Sequence, residues 1–445
     1  MIFNSFSFLF LFFPLFFLAY LYAPREWGKY IIIGGSVVFY VLGTWRNPLE
    51  IAVLAGLTLI GVGACALFQQ DRYAKKWLLV LVLVLLAAPL VCLKLAALFV
   101  KETPSLPLGL GFYTLQLIAF VIYAYRGGQT KPLAVVEGTL FFPKLISGPV
   151  AVPEEIFEDI EAPVRKRNWI DSGLQDFVVG LACKMVIADR LGSVLYEIRG
   201  AGFGGVSVLL AWLGVLCFAL EIYFDFLGYS RMAIGLGKML GFLLPENFDH
   251  PYCATSVREF WTRFMITVSQ WFENYVRIPL ANKGGTAWFV IASLVGWLAM
   301  GIWFGTGWNF VIWAILMFGM IMGEHFLFGK YLEKYPILGH IYVPIVIGLC
   351  WIFFITKTPG EAGTYFLRLI GVTKMTFDPN DWKVVIAKVW PFLACGVIFA
   401  TPYPQMLWKK IHKSLGAWIC LFVLFLICVY LMATAGNDPF LLFSF

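Results

Sequence analysis

At 445 residues the chain has the length of several soluble domains, but 61% of it is hydrophobic, only 13% is charged and its mean hydropathy is +0.83, so its solvent is a bilayer rather than water. The formal net charge of +7 belongs to loops beside membrane helices, and no RNP, zinc-finger or P-loop pattern points to nucleic acid or nucleotide. The nine cysteines sit mostly inside apolar runs without CxxC pairs, and read as small hydrophobes rather than as a disulfide framework or metal site.

Taken in order, the predicted elements are mostly spans near the ~20 residues that a helix needs to cross a bilayer. The first, 6–22, has no basic n-region before it and no small-residue cleavage site after it, so it is expected to stay as a membrane helix. Spans at 30–45, 50–68, 77–99 and 108–125 follow. Arg25 with Lys29, then Arg72 with Lys75 and Lys76, then Arg126 with Lys131 make basic loops, which puts those loops in the cytoplasm and the N-terminus outside. FFPKLISGPV (141–150) is too short and too rich in Pro and Gly to span, and is expected as a broken, re-entrant element shielded by protein or a wet cavity. Residues 152–170, acidic and then basic, read as a solvated loop. A helix at 172–188 carries Lys184. Spans are then expected at 205–227, 286–303, 308–327, 340–356, 384–401 and 415–435, with Lys409, Lys410 and Lys413 marking a cytoplasmic loop before the last. The C-terminus lies outside if the number of crossings is even. With no repeat and no separate soluble region, the expectation is a single all-α membrane domain over 1–445.

One polar stretch interrupts this pattern, from Glu221 to Phe310. Asp225 and Arg231 stand inside an apolar run, where an ionisable group must face protein or water, so both are functional candidates. Six residues apart, they are also compatible with a plain buried ion pair. Over 258–278, Trp261, Phe264, Met265, Val268, Trp271, Phe272 and Tyr275 repeat at helical spacing, while Arg258, Glu259, Arg263, Gln270, Glu273, Asn274 and Arg277 lie off that stripe. This predicts one amphipathic helix lying at the interface or lining a wet cavity.

With these residues in view, the chain resembles the membrane-bound O-acyltransferases, in the branch of the alginate O-acetylation and teichoic-acid D-alanylation membrane proteins. The resemblance is carried by MIFNSFSFLFLFFP, LPLGLGFYTLQ, FFPKLISGPV, FVVGLACKMVIADRL, IYFDFLGYSRMAIGLGKMLGF, PENFDHPY, EFWTRFMITVSQWFENYVRIPL and GIWFGTGWNFVIW, in that order. It implies a ring of helices around a funnel, re-entrant and interfacial helices, a cytoplasmic acyl thioester as donor, no resident cofactor, and an acceptor reached from the outer face. Two departures stand out. Where the family reads EFWRRWHISLS and WHGxxWNF, its catalytic histidines are replaced here by Met265 and Phe304. In YFDFLGYSRMA, Leu227 and Arg231 replace the family's serine and aspartate. Retained positions that the resemblance places around the funnel are Asp225, Tyr229, Ser230, Arg263, Ser269, Trp303, Trp308 and Asn309, with Arg231 among them as a replacement.

Acyl transfer to a hydroxyl needs a proton acceptor that titrates near neutral pH, a role worth ~10²–10⁴-fold, and neither a thioether nor a phenyl ring can fill it. The four histidines, His250, His325, His340 and His412, all fall outside the two motifs. The sequence therefore predicts a catalytically silent family member working as scaffold, channel or docking partner in a cell-envelope glycan O-acylation system. The alternative is an active O-acyltransferase with a non-standard base. Membrane lipids and a membrane or extracytoplasmic protein of that system are the implied partners, in a bacterial cytoplasmic membrane.

Overall fold

A computed structural model describes residues 2–100, 106–161, 163, 166–372, 379–434 and 441. It is all-α: among the described residues the only β pairing is a single antiparallel bridge, Phe248 to Phe264. π-helical turns at Ser7–Phe12 run into α1 (Phe13–Tyr22), followed by α2 (Gly28–Thr44), α3 (Pro48–Phe68), α4 (Lys76–Ala96), α5 (Leu110–Tyr125), α6 (Pro132–Leu140), α7 (Phe142–Leu145), α8 (Pro153–Glu161) and α9 (Arg167–Ala182). A π-helical stretch, Cys183–Ala188, joins α9 to α10 (Asp189–Ala201), and α11 (Val208–Leu240) follows. Then come α12 (Val257–Arg263), α13 (Ile266–Phe272), α14 (Ile278–Ala281), α15 (Gly285–Phe304), α16 (Trp308–Gly323), α17 (Gly329–Lys334), α18 (Pro336–Cys350), α19 (Ile352–Ile355), α20 (Pro359–Leu369), α21 (Asp381–Phe399), α22 (Tyr403–Ile411) and α23 (Leu415–Thr434).

Among the described residues nine helices are long and apolar enough to cross a membrane, and two shorter ones, Ser7–Tyr22 and Leu110–Tyr125, are apolar as well. These eleven coincide with the spans expected from the sequence. The chain is an integral membrane protein. The structure corrects two expectations outside the spans. Residues 153–161 and 167–170 are helical rather than loop: Ile156 and Phe157 are buried while Glu154, Glu155 and Glu158 face out, a helical spacing that the charge run conceals. The second, over 258–278, is described with the site.

The described residues group into two compact units, one made of those within 1–179, 229–246 and 432–434, the other of those within 180–228 and 247–431 with 441. In the first, a core of phenyl rings (Phe8, Phe12, Phe16, Phe39 and Phe142) packs α1 and α2 around α7. The 141–150 element is buried throughout apart from a half-buried Leu140 just before it, and its polar groups are met by protein. Gln116 Nε2 donates to Ala151 O at 3.0 Å, while its Oε1 accepts from Ala151 N at 3.0 Å and Lys144 Nζ at 2.7 Å. That is the shielding a non-helical backbone needs at membrane depth. In the second unit, Trp261, Trp297, Trp313, Trp351, Phe304 and Phe354 form a continuous aromatic cluster.

Candidate functional site

The polar segment 257–281 in the second unit is built around a break. Ser256 Oγ caps α12 by accepting from Glu259 N at 3.0 Å, and the Glu259 carboxylate accepts from Thr255 N and Oγ1 at 2.7 and 2.8 Å. Glu324, from the far end of α16, adds a second carboxylate at the same helix start, accepting from Val257 N at 2.6 Å and Arg258 N at 3.1 Å. Arg263 donates to Glu259 at 2.6 Å. Burial raises the Glu259 carboxyl, but the Thr255 and Arg263 donors outweigh it and hold the group below its ordinary value.

The single helix expected over 258–278 does not form. At Phe264 the backbone is extended, and at Met265 it turns left-handed, with φ 49°. The PENFDHPY loop makes this turn. Phe248 pairs with Phe264, Asp249 N donates to Arg263 O at 2.9 Å, and Ile266 N donates to Asn247 O at 2.9 Å. Asn247 Oδ1 then caps α13, accepting from Thr267 N and Oγ1 at 3.0 and 2.9 Å. The apolar stripe survives the break: Trp261, Phe264, Met265, Val268, Trp271 and Phe272 are all buried. Periodicity reports which side chains are buried, and it misses a break whose cause lies in another segment.

Met265 and Phe304 are 3% and 1% exposed. Phe304 closes α15 inside the aromatic cluster, with ring centroids 5.2 Å from Trp303, 5.4 Å from Trp313, 5.6 Å from Phe354 and 6.0 Å from Trp261. At Gly305 a Cβ would meet the Phe310 ring at 2.1 Å, so this turn needs glycine. Asn309 ties the turn down, its Nδ2 donating to Phe353 O at 3.2 Å, Thr356 O at 2.7 Å and Thr356 Oγ1 at 3.1 Å. Trp303 is buried, whereas Trp308 is 50% exposed.

Asp225 and Arg231 do not form one pair. Asp225 Oδ1 meets Lys184 Nζ, which also binds Asp189 Oδ1 at 2.8 Å, and the three side chains are 1–5% exposed. Asp225 Oδ2 accepts from Leu441 N at 2.8 Å. Glu221 lies one turn before Asp225 and abuts Gly192, where an added Cβ would fall 2.5 Å from Glu221 Oε1. In the first unit, Arg231 pairs with Asp176 at 3.0 Å and Glu246 at 3.7 Å, and Lys238 joins Asp176 at 2.6 Å. Tyr229 OH donates to Asn4 Oδ1 at 2.9 Å, and Ser230 is buried. Sequence reasoning missed Lys184 as the partner of Asp225. Its signal was a lone lysine within FVVGLACKMVIADRL.

A cavity of about 560 Å³ opens in the second unit, lined by the polar Arg258, Ser269, Glu273, Arg277 and His325 and by the apolar Trp261, Phe272, Trp297 and Met300. The polar face of the 257–281 segment thus lines a cavity. Arg277 is paired to Glu273, and Ser269 Oγ donates to Phe264 O at 3.3 Å. Neither Met265 nor Phe304 lines this cavity, and Arg263, Trp303, Trp308 and Asn309 are absent from its wall. His325 is the one histidine there, its ring 4.8 Å from Phe289, while His250 sits beside Asp249 at 3.1 Å.

No family model matches the chain. Among curated proteins, it is 32% identical over 341 residues to the Probable alginate O-acetylase AlgI of Pseudomonas putida, covering 71% of this chain and 68% of that protein. It is 32% identical over 341 residues to the corresponding Azotobacter vinelandii protein, covering 71% of this chain and 66% of that one. To the Teichoic acid D-alanyltransferase of Streptococcus thermophilus it is 27% identical over 322 residues, 66% of this chain and 75% of that protein. The chain therefore spans about two thirds of the length of the alginate relatives.

Proposed function

Because the chain belongs to the membrane-bound O-acyltransferase family, in the branch of the alginate O-acetylases and teichoic-acid D-alanyltransferases, we propose that it serves a cell-envelope glycan O-acylation system without performing the acyl transfer itself. Its role in this reading is that of a scaffold, channel or docking partner in the bacterial cytoplasmic membrane. The observation that carries the reading is the pair Met265 and Phe304: both are buried, and neither can take a proton from an attacking hydroxyl. A thioether and a phenyl ring also leave the reaction point apolar and dry, where a thioester carbonyl and a hydroxyl would find no partner. The acyl group in such a system comes from a cytoplasmic thioester and ends on an extracytoplasmic polysaccharide, with a second membrane or extracytoplasmic protein supplying the missing chemistry.

A second reading is favoured by one observation, that His325 lines the cavity beside Glu324. In it, His325 is a non-standard base. One experiment separates the two. Purified full-length protein in nanodiscs is given an acyl thioester and a glycan acceptor, and both hydrolysis and transfer are followed. The silent reading expects rates equal to those of empty nanodiscs. Turnover that disappears in His325→Ala would establish the second reading and remove the first.

A further inference from the structure

None of the residues of the short helix α22, in the second unit, is buried. It connects two spanning helices, α21 and α23, so it must lie where the chain leaves and re-enters the bilayer. Its exposure is one-sided. Tyr403, Met406, Leu407 and Ile411 are 74%, 57%, 59% and 42% exposed, and their spacing of i, i+3, i+4 and i+8 puts them on one face. Pro404, Gln405, Trp408 and His412 form the opposite, half-buried face. Three exposed lysines accompany the apolar face: Lys409, Lys410 and Lys413. The helix closes on its own last turn, with His412 N donating to Trp408 O at 2.9 Å and His412 Nδ1 lying 3.0 Å from Lys409 O.

We propose that the outer face of α22 is a docking surface for anionic phospholipid headgroups on the cytoplasmic leaflet. The apolar side chains enter the headgroup–acyl boundary, and the three ammonium groups reach the phosphates on their flexible stems. The occupant follows from continuity and charge. A face flanked on both sides by membrane spans meets lipid first, and three cations without a neighbouring acid on the helix select an anionic headgroup over a zwitterionic one. This inference does not rest on the reading of the catalytic site.

The test uses the full-length protein purified from membranes of mixed phosphatidylcholine and phosphatidylglycerol, with co-purifying lipid counted by native mass spectrometry. The wild type should retain phosphatidylglycerol in excess over its share of the bilayer. The variant Lys409→Gln/Lys410→Gln/Lys413→Gln should lose most of that enrichment, each lysine being worth on the order of fivefold. A control variant in another exposed basic loop, Arg72→Gln/Lys75→Gln/Lys76→Gln, should keep it. Should the α22 variant fold poorly, raising salt on the wild type should erase the same enrichment, since surface attraction falls off within a Debye length. Unchanged enrichment in the α22 variant, or an equal loss in the control, would overturn the proposal. So would a concentration-dependent dimer abolished by the α22 substitutions, because the face would then be covered by a second copy.

Discussion

At the scale of single residues, the cluster of Lys184, Asp189 and Asp225 shows what membrane-depth charge requires. One ammonium is shared by two carboxylates, and all three are almost wholly out of reach of water. Removing one member of a buried ionic set leaves an uncompensated charge, at a cost of about 3–5 kcal/mol. Lys184→Met is therefore expected to be the most damaging single change here, measured as folded yield and thermal midpoint in detergent. Asp225→Asn should cost less, because the amide is neutral and its oxygen can still accept from Leu441 N. Lys184→Met combined with Asp225→Leu should recover part of the loss, and no recovery would show that the carboxylate has a role beyond charge pairing. The sequence marked Asp225 as an interior residue on hydropathy alone. It left the partner open because Lys184 lies 41 positions earlier, and nothing in the local pattern around either residue expresses that distance.

At the scale of elements, the break at Phe264 and Met265 is made by backbone pairing and by Asn247, not by the Met265 side chain. Left-handed φ is tolerated by glycine and, several-fold more than average, by Asn, Asp and His, whereas β-branched residues resist it. Met265→Gly should thus keep the local fold, and Met265→Val should destabilise it by about 1–2 kcal/mol. Asn247→Ala should cost a similar ~1–2 kcal/mol through the lost cap. Thermal unfolding of the three variants side by side checks the ordering. Glu259 supplies a pH test. Its carboxyl is held below its ordinary value, so its contribution is present above that value and fades as pH falls through the folded-state value. Glu259→Gln should flatten the acid limb of the stability profile and leave the neutral region little changed. The extent of the apolar stripe was legible in the sequence. The interruption was not, since it depends on a loop whose own pattern is turn-like and says nothing of what it pairs with.

At the scale of the whole molecule, sidedness can be argued from the loops. If the N-terminus is outside, as the basic loops predict, the eleven apolar helices alone would leave the C-terminus in the cytoplasm. The helical path from Arg167 to Ala201 is long enough to be a twelfth crossing, and counting it would put the segments that hold Lys75, Lys166, Lys283, Lys330 and Lys410 on the cytoplasmic side. Cysteines at Lys166 and Lys410 should therefore react only after the membrane is opened, and one at Gly204 should react from outside. A Gly204 label that also needs opening would remove the twelfth crossing. A larger test concerns the missing chemistry. Met265→His with Phe304→His should bring thioester turnover up from background, by ~10²-fold or more if the surrounding scaffold is intact. The backbone at 265 already holds a conformation that histidine adopts more readily than methionine. Seen as history, this makes position 265 a hinge between two careers. A turn clamped by its neighbours tolerates any residue that accepts left-handed φ, so a lineage can exchange one such residue for another, lose or regain a reaction, and keep the same fold in the membrane throughout.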